Sequence, residues 1–105
     1  MSIFDENAEI LRRIASQGVD LTIPRSIDFA HAFASSESAE AFARDVRAQG
    51  FDVIVAMAGE NDKTPWDAVA SKYMIPTCEN ITEAERELGA ISRTYGGFPD
   101  GWGFF

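Results

Sequence analysis

The chain has 105 residues, 46% hydrophobic and 25% charged, with nine Lys and Arg against seventeen Asp and Glu for a net charge of −8. That apolar content is enough for one core, so a single domain over 1–105 is expected, while the acidic excess repels nucleic-acid phosphates and makes direct nucleic-acid binding an unfavoured reading; it either serves solubility, the favoured reading, or steers the chain to a basic protein surface, and by itself it names no partner. No stretch reaches the ~20 apolar residues of a membrane span, and MSIFDENAEI lacks the basic and apolar regions of a signal peptide, so a cytoplasmic protein is expected.

The segment DENAEILRRIASQG places Ile10, Leu11 and Ile14 at helical spacing, with Asp5 and Glu6 where the helix dipole favours anions and Gly18 as a stop. The spacing predicts an amphipathic helix over about 3–17. VDLTIPRS then reads as an extended connector holding Pro24. In SIDFAHAFA, Ile27, Phe29, His31 and Phe33 alternate with Asp28, Ala30, Ala32 and Ala34, the period of a strand with one buried face.

SSESAEAFARDVRAQG carries serines able to cap, and Ala39, Phe42, Ala43 and Val46 at i, i+3, i+4, i+7 before Gly50, the clearest helix in the chain. FDVIVAMAG and WDAVASKYMIP, joined by the turn-rich GENDKTP, predict a hairpin. Beyond Pro76, Thr82 and Glu85 have capping-box spacing, and Ile81, Ala84, Leu88 and Ile91 share one helical face as far as Tyr95. Gly96 and Gly97 read as a C-cap and exit turn. Pro99-Asp100-Gly101 reads as a turn feeding a last short strand through Trp102 and the final phenylalanines.

The order is therefore βαββαβ with an extra helix in front, which predicts an α+β, ferredoxin-like sandwich: a four-stranded antiparallel sheet, its first and third strands central, with both helices of a core spanning about 26–105 on one face. The other face is left for solvent or for pairing in a homodimer.

Few residues carry chemistry. Cys78 is the only cysteine, which rules out an intrachain disulfide and a cysteine-based zinc site, and it reads as a small core or helix-start residue. No metal or cofactor is expected: the carboxylate pairs Glu83/Glu87 and Glu37/Glu40 read as solvated helix faces, and no glycine-rich phosphate loop, catalytic triad or HExxH occurs. His31, the one histidine, is either a proton carrier or pH-sensitive anchor, or a half-buried sheet residue hydrogen-bonded to a neighbour; the second reading is favoured. Trp66 and Trp102 are either core aromatics with bonded indole N–H groups, the favoured reading, or interface anchors. A lone histidine without a paired nucleophile makes a poor enzyme, so the residues point to a binding protein.

The ending Tyr95-Gly96-Gly97-Phe98-Pro99-Asp100-Gly101-Trp102 resembles the G-x-Y-D-G-W ending of the ribonuclease E inhibitor RraB family, with Pro99 where the family's Tyr is usual. Gly18-Val19-Asp20, His31 and Phe33, Gly50-Phe51 and the strand from Thr64 to Pro76 follow that family's layout in order, as in a compact member without the long acidic tail. The resemblance implies a ferredoxin-like fold without catalytic activity, and a regulator that binds the endoribonuclease RNase E and modulates its cleavage of RNA. Asp100, Gly101 and Trp102 are then the expected partner-binding anchor, with His31 and Trp66 as further candidates. The alternative from another class is a small-molecule-binding or enzymatic domain in which His31, Trp66 and Asp100 line a pocket on the sheet.

Overall fold

In chain order, the computed structural model, which describes residues 2–57 and 63–104, runs α1 (Ile3–Ser16), β1 (Arg25–Phe33), α2 (Ser36–Ala48), β2 (Asp52–Met57), β3 (Trp66–Met74), α3 (Cys78–Thr94) and β4 (Phe98–Phe104). The expected turn between β2 and β3 falls largely on 58–62, outside the described residues. Each helix begins on a hydroxyl cap: Ser2, Ser35 and Thr77 accept from the amides of Asp5, Ser38 and Asn80, satisfying one of the amides a helix start leaves unpaired.

The four strands form an antiparallel sheet in the order β2-β3-β1-β4, so β1 and β3 are central and β2 and β4 are the edges. The architecture is α+β. The register sets Ile27, Phe29, His31 and Phe33 of β1 level with Lys72, Ala70, Ala68 and Trp66 of β3, and Ala70 and Ala68 level with Val53 and Val55 of β2. Because side chains alternate along a strand, this set shares one face. Alanines at its middle leave room for the rings of Phe42 and Phe33, which meet at 5.1 Å.

Against that face lie Ala39, Phe42, Ala43 and Val46 of α2 and Ile81, Ala84 and Leu88 of α3, all buried in one core with Phe29, Phe33 and Leu11. The period-3.6 stripe read on α2 is therefore the stripe that packs. On α1 the pattern differs: Leu11 is buried and Ile10 is exposed, while the polar Asn7, one turn before Leu11, is buried.

Three expectations are corrected. Helix α3 starts at Cys78 under the Thr77 cap rather than at a Thr82/Glu85 capping box; Thr82 lies a turn inside the helix and is buried. The connector before β1 is not simply extended, since Asp20 Oδ1 accepts from both the amide (2.9 Å) and the hydroxyl (2.6 Å) of Thr22 and folds it into a turn. Pro99-Asp100-Gly101 is not a turn before the last strand but lies within it. His31 pairs with Pro99 and Phe29 with Trp102, so Asp100 and Gly101 together oppose Ala30 alone. That is a β-bulge, and Gly101 at φ +114° supplies the backbone freedom it needs.

Candidate functional site

The bulge shapes the surface around it. By alternation, Asp28 and Ala30 of β1 and Val69 of β3 point away from the helices, and with Asp100, Gly101, Trp102 and Gly103 they line an open hollow of about 330 Å³ on the uncovered face of the sheet. The lining is mainly apolar, with two carboxylates. Asp28 is oriented by Ser71, whose hydroxyl donates to Oδ1 at 2.6 Å. Asp100 is exposed.

Trp102 lines the hollow, but it stands level with Phe29, so its side chain belongs to the helix side of the sheet. Its half-buried ring packs against the core and lies 5.8 Å from the ring of Phe104. Its Nε1 donates to Oδ1 of Asn7 at 3.0 Å. Asn7 Nδ2 in turn donates to Thr82 Oγ1 at 3.0 Å and to Glu85 Oε1 at 2.5 Å. The partners fix the orientation of the amide, since an indole N–H can only donate and an ionised carboxylate can only accept. Burial holds the Glu85 carboxyl above its ordinary value, and the Asn7 hydrogen bond opposes that shift. One asparagine thus ties α1, α3 and β4 together.

The sequence-predicted candidates separate. Asp100, Gly101 and Trp102 sit at the hollow. His31 lies on the helix side of the sheet, 2% exposed, its ring 4.8 Å from that of Phe42. It is buried more deeply than expected, and Nδ1 has no hydrogen-bond partner among the described residues. With nothing to compensate desolvation, burial drives its pKa down to about 4, so the imidazole is neutral near pH 7. Trp66 opens β3 level with Phe33, four residues along β1 from the level of Trp102, or roughly 13 Å at ~3.3 Å per residue. Neither His31 nor Trp66 lines the hollow, so the alternative pocket of His31, Trp66 and Asp100 is not assembled on one face.

Asn7, Thr82 and Glu85 escaped the sequence reading as a cluster. A signal for the first was present: Asn7 stands four residues before Leu11 and seven before Ile14, where a helix puts it on the apolar stripe. Among the described residues, no three His, Cys, Asp or Glu side chains converge in a way that could hold a metal ion. No helix there is long and apolar enough to cross a membrane.

The family model described as "Regulator of ribonuclease activity B" (RraB) matches residues 4–104, a span that includes the bulged ending. The chain belongs to the RraB family. Membership assigns regulation of ribonuclease activity, and so implies a protein partner. No curated protein matches the chain. Within the RraB match fall both the Asn7–Trp102 link and the hollow beside it.

Proposed function

We propose that this chain is a noncatalytic, protein-binding regulator that associates with a basic segment of a ribonuclease, RNase E being the specific candidate, and thereby modulates RNA cleavage in the cytoplasm. The observation that carries this reading is the RraB match over 4–104. A net charge of −8 supports it, because an acidic domain is drawn to arginine-rich protein and repelled by RNA. Its effect on RNA therefore passes through the protein partner. The strand order with β1 and β3 central, and the core between the sheet and α2 and α3, support a ferredoxin-like arrangement preceded by α1. Neutral, buried His31 has no place in acid–base chemistry at the surface, which favours regulation over the enzymatic alternative.

The test is a cleavage assay with purified RNase E and a defined RNA, titrated with the purified chain, alongside direct measurement of association. Association together with a dose-dependent change in cleavage is expected. Unchanged cleavage and no association at a large molar excess would overturn the reading.

A further inference from the structure

We propose that the uncovered face of the sheet is the docking surface, and that its occupant is an extended basic segment of the partner protein, with one arginine or lysine side chain entering the hollow between Asp28 and Asp100. The proposal rests on the regulator reading for the identity of the partner but not for the location of the surface.

Charge segregation across the sheet carries the argument. The strands contain two cations, Arg25 and Lys72. Both belong to the helix side, where the Arg25 guanidinium lies 5.9 Å from the ring centre of Phe104 and the Lys72 ammonium 5.0 Å from that of Phe51. The opposite face has no Lys or Arg at its strand positions, and it carries Asp28 and Asp52, with Asp100 at its rim. Beside the Asp52–Ser71–Asp28 row, Ile54, Val69 and Ala30 stand level as an apolar row with Ile54 72% exposed, and Tyr73, 70% exposed, lies on the other side of that row. An apolar strip framed by one sign of charge suits a partner that alternates apolar and basic side chains.

A second copy of this chain fits less well. Two such faces brought together would oppose like carboxylates on molecules that each carry −8. Four strands at ~4.8 Å spacing and about six residues of ~3.3 Å each give roughly 400 Å², half the ~800 Å² per partner of a standard stable interface. That area suits a short extended segment. The hollow adds a socket: two carboxylates for a cationic head, and Ala30 and Val69 for its methylenes. On the helix side, the Trp102 ring bonds through Nε1 to Asn7 Oδ1 at 3.0 Å and anchors the strand that carries the bulge.

The experiment uses the full ¹⁵N-labelled chain titrated with a synthetic peptide of alternating arginine and leucine. Amide shift changes are expected to centre on Ala30, Val69, Gly101 and Gly103. Asp28→Asn with Asp100→Asn is expected to weaken binding at least tenfold. Glu37→Gln with Glu40→Gln, which removes the same charge from exposed positions of α2, should change it less than twofold. Shift changes centred on the helices, equal losses in the two double variants, or a dimer dissociated by Ile54→Lys would overturn the proposal. RNase E binding that is untouched by the Asp28/Asp100 pair would also sink it while leaving the regulator reading intact. A peptide that maps to this face, with RNase E unbound, would do the reverse.

Discussion

Nε1 of Trp102 and Oδ1 of Asn7, 95 positions apart in sequence, are joined by a 3.0 Å hydrogen bond that closes the last strand onto the first helix. The same amide serves Thr82 and Glu85 on α3, so every polar atom of a side chain only 3% exposed is satisfied. Buried polar groups stabilise modestly when paired and cost much when orphaned.

Asn7→Ala is therefore expected to destabilise the chain by about 1–3 kcal/mol, chiefly by stranding the indole N–H and leaving the Thr82 hydroxyl only the longer contact with the Cys78 thiol. Trp102→Phe should cost less on this account, since only the Asn7 carbonyl is orphaned. Chemical denaturation of both single variants and the double variant checks the link. The double variant should lose clearly less than the sum, because its members share one bond. Strict additivity would show that the bond contributes nothing.

What the sequence revealed follows from periodicity. The stripe on α2 and the alternation on β1 are each written in a few neighbouring residues; the stripe appears in the structure as read, and the alternation holds from Ile27 to His31, after which Ala32 is buried along with Phe33. The Thr82/Glu85 pair has the spacing of a capping box, but that same spacing places two side chains on one face of a helix interior, and there they meet Asn7. Local pattern does not separate the two roles. Pro99-Asp100-Gly101 carries turn chemistry, yet with β1 alongside on both flanks the chain absorbs it as a bulge. The hollow depends on that bulge and on Val69 of β3, a juxtaposition no local window contains.

Gly97 is fixed by close approach. Its amide donates to the Ser92 carbonyl at 2.8 Å as α3 ends, and a Cβ built on it would collide with the edge of the Phe33 ring and lie 2.8 Å from the Ala32 carbonyl oxygen. Phe33 is fully buried and has no open space to move into. Gly97→Ala should cost at least 2–3 kcal/mol, in the range of overpacked cores, and lower the thermal midpoint by about 10 °C or more. A variant melting within two or three degrees of the parent would mean that β4 can shift away from β1 at little cost.

His31 gives stability a defined pH dependence. Its folded pKa of about 4 lies below the ordinary value of 6.5, so between those limits the unfolded chain takes up a proton that the folded chain refuses. The contribution is intact above pH 6.5 and is lost as pH falls through 4, reaching about 3 kcal/mol in total. Raised Glu85 acts with the opposite sign, so the comparison must be with a variant that lacks only the imidazole. His31→Phe should flatten the fall in stability between pH 6.5 and 4, measured by urea unfolding at each pH. Parallel profiles for parent and variant would show that the ring is hydrated or paired.

The terminal strand separates folding from docking most sharply. Removing residues 101–105 deletes the pairing of β1 at Ile27, Asp28 and Phe29, uncovers the fully buried Ile27 and Phe29, and takes away Trp102 and Phe104, which pack against the core. A buried Trp or Phe truncated to Ala costs about 3–5 kcal/mol, and half-buried ones roughly half that. With the ladder bonds at about 1 kcal/mol each and Asn7 left unpaired, the sum is on the order of 5–8 kcal/mol against a typical domain stability of 5–15. The truncated chain should lose its cooperative melt in calorimetry, and the Asp28→Asn/Asp100→Asn chain, which keeps every one of these contacts, should retain it. A truncated chain that still melts cooperatively while failing to bind the arginine–leucine peptide would make the bulged ending a recognition element laid on a fold complete without it.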